Sequence, residues 1–95
     1  MSINNVVVLR AKDEKRDSFI EMMQESKIRL QAYDGCLSVQ MYVDEKDPNT
    51  FVLIEKWESK GQHNQYFAAL IESGDWEIMS EHLASDPDSR YCTEL

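Results

Sequence analysis

His63 and His82 are the only histidines in this chain of 95 residues, and histidine alone has an unperturbed side-chain pKa near neutrality. Tyr66 and Phe67 follow His63 at helical spacing, which sets an imidazole about one turn from two rings on an apolar stripe. Such a pattern suits a general base that takes a phenolic or enolic proton from a ligand. The plainer reading is a cavity-edge histidine bonded to backbone. His82 falls at the end of a helical segment, where the helix dipole favours a cation without any catalytic role. Trp57, Tyr66, Phe67 and Trp76 form an aromatic set fit to stack on a flat ring or to fill a core. Asn5 breaks an apolar run; its amide can orient a carbonyl or peroxide, or face water from an edge strand. Arg90 stands among Asp86 and Asp88 and reads as the holder of an anionic intermediate or as a surface ion pair. The site residues to locate are therefore His63, Trp57 and Asn5 for chemistry, and Tyr66, Phe67, Trp76 and Arg90 for binding.

Other chemistries lack their parts. Two histidines and two scattered cysteines supply neither H-x-x-x-H nor a cysteine pair for a metal. Cys36 and Cys92 are expected to be reduced, partly buried thiols. With three glycines there is no phosphate-cradling loop, so no metal, flavin, nicotinamide or nucleotide cofactor is expected. A formal net charge of −8 disfavours nucleic acid and anionic membrane surfaces. No run approaches the ~20 apolar residues that span a bilayer. The N-terminus does not show a basic region followed by an apolar run, and a cytoplasmic location is expected.

The elements that must carry these residues are legible from periodicity. Ile3 to Lys12 reads as a strand whose run Val6-Val7-Val8-Leu9 suggests cover on both faces. Asp13 to about Tyr33 reads as a helix with Phe19, Met22, Met23, Ser26, Leu30 and Tyr33 inward, capped by Asp13 or Asp17 and ended at Asp34-Gly35. Cys36 to Glu45 alternates, with Leu37, Val39, Met41 and Val43 on one face. A turn at Asp47-Pro48-Asn49 leads into a strand from Thr50 to Glu58, making a hairpin. Ser59 and Gln62 form a capping box for the next helix. Gly74 interrupts it, and a shorter helix capped by Asp75 carries Trp76, Met79 and Leu83. After a turn around Pro87, Ser89 to Leu95 makes a last strand.

The order β-α-β-β-α-β predicts one α+β, ferredoxin-like domain over residues 1–95, with an antiparallel sheet. Helices cover one sheet face. Val6, Val8, Val52 and Ile54 on the other need cover, and a homodimer paired through the sheet supplies it.

Three segments carry a resemblance: D-G-C-L at 34–37, D-P-N-T-F-V-L-I-E-K-W-E-S at 47–59 and D-P-D-S-R-Y at 86–91. With them the chain resembles the antibiotic biosynthesis monooxygenase family. The resemblance implies a dimeric α/β barrel closed by the sheets of two subunits, with a substrate cavity between sheet and helices. It also implies the family's range of activities: cofactor-independent oxygenation of quinols and polycyclic phenols, haem degradation, and action on sugar-like signals. Trp57 matches the tryptophan that ends the third strand. Where the polycyclic-oxidising branch carries an asparagine this chain has Leu53, and His63 stands nearest its tyrosine. Asn5 matches the asparagine of the haem-degrading branch, Tyr66 replaces its tryptophan, and His82 is out of register with its haem ligand. The function expected is a cofactor-independent monooxygenase acting with O2 on a small hydrophobic or aromatic molecule such as a quinol or phenol. The alternatives are a non-catalytic dimeric small-molecule binder and an isomerase or lyase of an enolisable metabolite.

Overall fold

A computed structural model of the chain describes residues 2–95. Four strands, β1 (Ile3–Arg10), β2 (Cys36–Val43), β3 (Thr50–Trp57) and β4 (Asp88–Cys92), form one antiparallel sheet in the order β2-β3-β1-β4. Helices α1 (Arg16–Gln31), α2 (Lys60–Ser73) and the short α3 (Asp75–Ser80) complete the ferredoxin-like α+β topology. The sheet is open. β2 and β4 are its edges, with no strand beyond either among the described residues, so the closed α/β barrel expected from the resemblance is not formed and that expectation is corrected.

The inward face of the sheet follows the two-residue period. Phe51, Leu53, Glu55 and Trp57 of β3 are buried, as are Ile3, Asn5 and Leu9 of β1. They meet Phe19, Met23, Ser26 and Leu30 of α1 and His63 and Tyr66 of α2. Two apolar clusters result. One gathers Leu9, Phe19, Met23, Phe51, Leu53 and Leu83; the other gathers Ile3, Leu30, Val39, Trp57 and Tyr66. Val6, Val8, Val52 and Ile54 on the opposite face are half-buried, and Tyr42 beside Val52 is exposed.

Local chemistry sets the boundaries. α2 starts at Ser59, whose Oγ accepts from the Gln62 N–H at 3.3 Å, and ends at Gly74 with φ 87°, a conformation that glycine adopts without strain. Three expectations are corrected. Neither Asp13 nor Asp17 caps α1, because a 3-10 turn at Asp13–Lys15 precedes it and Lys15 holds the cap position; Asp13 instead accepts from the Asn49 amide at 3.1 Å. Asp75 lies inside the first turn of α3, with Gly74 as the cap residue. Leu37 leaves the inward set, since a register shift between Cys36 and Ser38 makes it the extra residue of a bulge and it is exposed.

Candidate functional site

Register places polar side chains in one row on the inward face. Asn5 of β1 lies opposite Glu55 of β3 on one side and Tyr91 of β4 on the other, and directly paired residues share a face. α2 crosses above this row and lowers His63 onto it. The result is a cavity of about 310 Å³ between sheet and helices. Asn5, Glu55, His63, Tyr66, Phe67 and Trp76 are on its wall, and aliphatic side chains such as Leu9, Leu53 and Met79 fill out the rest.

Three polar groups at the centre are nearly sealed from solvent: Asn5 is 3%, Glu55 6% and His63 8% exposed. Asn5 Nδ2 donates to Ser89 Oγ at 3.0 Å and reaches the Arg90 carbonyl at 3.4 Å, which ties β1 to β4. Glu55 Oε1 accepts from Trp57 Nε1 at 3.0 Å and lies 3.9 Å from His63 Nε2, too far for a hydrogen bond. On the far side of the ring His63 Nδ1 meets the Tyr91 hydroxyl at 2.6 Å. That hydroxyl donates to Asn64 Oδ1 at 2.9 Å. Its one proton being so used, Nδ1 must be the protonated ring nitrogen. Nε2 is then left with a lone pair and no hydrogen bond from the described residues, and Glu55 Oε2 likewise has none.

Burial governs the charges here. Loss of solvent pushes the Glu55 carboxyl up, with the Trp57 N–H pulling the other way, and pushes His63 down. Although Glu55 and His63 are close enough for an ion pair, both shifts favour the uncharged forms. Tyr66 is pushed up to about 12, by burial first and then by Glu55. Tyr91 moves up for the same two reasons.

The structure therefore brings Asn5, His63, Tyr66, Phe67 and Trp76 to one cavity. Asn5 sits on a central strand rather than at an edge. Phe67 and Trp76 meet edge-on at 5.0 Å, and the Phe67 ring stacks near His63 at 6.3 Å. Trp57 is not on the wall. It is wholly buried behind Glu55, 5.5 Å from the rings of both His63 and Tyr66. Arg90 is on the wall, with its carbonyl against Asn5 Nδ2, but its guanidinium is engaged elsewhere. Arg90 pairs with Val6 on the other sheet face, and its guanidinium is held by both Asp88 carboxylate oxygens at 3.1 and 2.9 Å. Glu55, Tyr91 and Asn64 were not anticipated. The signal for Glu55 was in the sequence: it has the same parity as the inward Phe51, Leu53 and Trp57, and a charge at such a position demands a partner. Tyr91 depends on how β4 registers against β1, which a strand of five residues does not announce.

Cys36 and Cys92 are free thiols on opposite edge strands. Three strand spacings of roughly 4.8 Å separate those edges, well beyond disulfide reach. Among the described residues no group of His, Cys, Asp and Glu is arranged to hold a metal ion. No described helix is long and apolar enough to cross a membrane.

A family model described as antibiotic biosynthesis monooxygenase matches residues 2–69. No curated protein matches the chain significantly. Among solved structures, an antibiotic biosynthesis monooxygenase is 20% identical with TM-score 0.88, covering 98% of each chain. A conserved protein from Methanosarcina mazei is 18% identical with TM-score 0.89, covering 100% of this chain and 94% of its own. SnoaB from Streptomyces nogalater, described as a cofactor-independent oxygenase, is 10% identical with TM-score 0.83, covering 98% of this chain and 92% of its own. At these identities the likeness is one of fold.

Proposed function

Because the chain belongs to the antibiotic biosynthesis monooxygenase family, we propose that it is a cofactor-independent monooxygenase of a quinol, phenol or similar small aromatic molecule. The observation that carries this reading is His63 Nε2, an uncharged and unpartnered ring nitrogen at the wall of a largely apolar cavity. The shared fold with a described cofactor-independent oxygenase supports it.

The chemistry runs as follows. A flat ring lies against Phe67, Trp76 and Tyr66, and its hydroxyl meets His63 Nε2. The imidazole takes the proton. Tyr91 holds the ring by Nδ1, so Nε2 is the nitrogen left to accept. The electron-rich anion gives one electron to O2; the two radicals combine into a peroxide on the ring, which loses water to leave a hydroxylated quinone. For a quinol the sum is QH2 + O2 giving a hydroxyquinone and H2O, with all four electrons drawn from the substrate. The protein contributes desolvation, orientation and a cation beside the anion; Asn5, whose N–H groups are held by Ser89 and the Arg90 carbonyl, offers its Oδ1 to accept from a peroxide O–H.

We infer that the molecule acts as a homodimer paired through the helix-free sheet face. Val6, Val8, Val52 and Ile54 lie there half-buried with Tyr42, and covering them gains about 25 cal/mol per Å² of apolar area.

Oxygen uptake over a panel of quinols and naphthols tests the activity. The expected result is uptake with at least one of them, reduced about 10²-fold in His63→Ala. Uptake that His63→Ala leaves intact removes the base assignment.

A further inference from the structure

The proposed oxygenation uses one of the two unpartnered groups at the centre of the cavity. His63 Nε2 has a lone pair and no hydrogen bond, while Glu55, a buried side chain on the wall of the same cavity, keeps Oε2 without a donor from the described residues. Both atoms keep some access to the cavity, since the fully enclosed side-chain atom without a partner among the described residues is Asn49 Oδ1, and a guest can supply the missing partner. Here the two differ in kind. One accepts a proton, and the other, when protonated, donates one. Nε2 lies 3.9 Å from the other carboxyl oxygen, Oε1, too far for a hydrogen bond, so the described contacts leave Nε2 and Oε2 free to meet a guest. An acid and a base side by side in a largely apolar cavity are what a proton shift across a carbonyl requires.

We propose that this cavity also catalyses an oxygen-independent reaction, the keto–enol interconversion of an uncharged aromatic ketone, with His63 as base at the α-carbon and Glu55 as acid at the carbonyl oxygen. The inference rests on the reading of the cavity as an aromatic site whose base is His63, but not on any reaction with O2. His63 Nε2 takes the α-proton. The C–H electron pair becomes the new C=C bond, the carbonyl π pair moves to oxygen, and the Glu55 proton is transferred there. Nothing is oxidised or reduced. An imidazolium and a carboxylate remain about 4 Å apart, and return of the proton from Nε2 to Glu55 resets the pair. The two groups thus share one proton at rest, and their titration belongs to the pair.

Burial supports the uncharged pair by pushing Glu55 up and His63 down. Other titratable groups face the pair. Tyr66 from α2, Tyr91 from β4 and Cys36 from β2 are all pushed up by burial and by Glu55. Arg29 from α1 turns to Ser26 at 3.3 Å and acts on Tyr66, as does Asp75. Trp57 finds a role here as well: its N–H fixes Oε1 and leaves Oε2 for the guest.

The test is proton–deuterium exchange at the α-carbons of 2-tetralone in D2O under argon, followed by NMR with the full chain. Exchange is expected about 10²-fold above buffer, with a bell-shaped pH profile. Glu55→Gln is expected to lose most of the rate through kcat with KM little changed and to flatten the alkaline limb; His63→Gln loses the acid limb. Exchange no faster than buffer, or undiminished in folded Glu55→Gln, overturns the proposal, even where quinols consume O2. Exchange that depends on both residues, while no quinol consumes O2, upholds it and removes the monooxygenase reading instead. Should Glu55→Gln not fold, His63→Gln with undiminished exchange overturns it equally.

Discussion

At the scale of single residues, a carboxyl enclosed by an apolar wall makes stability depend on pH. Burial raises the folded pKa of Glu55, so its favourable contribution is complete below the unfolded value near 4.3 and is lost as pH rises through the raised folded value. His63 has the opposite sign: its folded pKa is lowered, so its contribution is present above about 6.5 and is lost as pH falls through the depressed value. Glu55→Gln is therefore expected to gain thermal stability relative to the parent chain on going from pH 5 to pH 8. Melting curves across that range check it, and a difference that does not vary with pH contradicts it. Trp57→Phe keeps most of the packing but removes the N–H donated to Glu55 Oε1 at 3.0 Å. The expected loss is about 1–3 kcal/mol, read from urea unfolding. The aromatic and histidine positions were legible because they recur at helical spacing. The role of Trp57 was not, since type and period cannot tell a ring that lines a cavity from one that supports its wall.

At the scale of elements, the turn from α1 to β2 sets the start of α2. Gly35 has φ 92°, and a Cβ there would come within 2.6 Å of the Gln62 side chain. Gln62 is the residue before His63 and is part of the cap at Ser59. Gly35→Ala is expected to cost about 1–2 kcal/mol from the left-handed backbone alone and, by displacing Gln62, to loosen the 2.6 Å contact between His63 and Tyr91. Chemical unfolding and the NMR shifts of His63 together check this; unchanged His63 shifts refute the link. The helices, the hairpin and the glycine stops were readable because each has a local cause. The bulge at Leu37 was not, because it follows from pairing with β3 and not from the alternation within β2. The same holds for the start of α1, where a 3-10 turn displaces the expected aspartate cap.

At the scale of the whole molecule, the open sheet leaves Val6, Val8, Val52 and Ile54 without helices over them. The expected state at micromolar concentration is a dimer by light scattering. Val52→Lys, which sets a charge among these side chains, is expected to shift it to monomer with the fold retained; a dimer unaffected by that change places the interface elsewhere. The apolar character of this face was legible in the run from Val6 to Leu9, whereas closure into a barrel came from resemblance and the open sheet does not bear it out. What unites the scales is the proposed transfer of a phenolic proton to His63 inside the cavity. The most direct measurement is the 15N shift of His63 Nε2 on anaerobic addition of 2-naphthol. The account predicts that Nε2 moves from the shift of a bare lone pair towards that of a hydrogen-bonded or protonated nitrogen, while Nδ1 stays protonated against Tyr91. Saturating naphthol that perturbs Phe67 and Trp76 but leaves Nε2 where it was would contradict it.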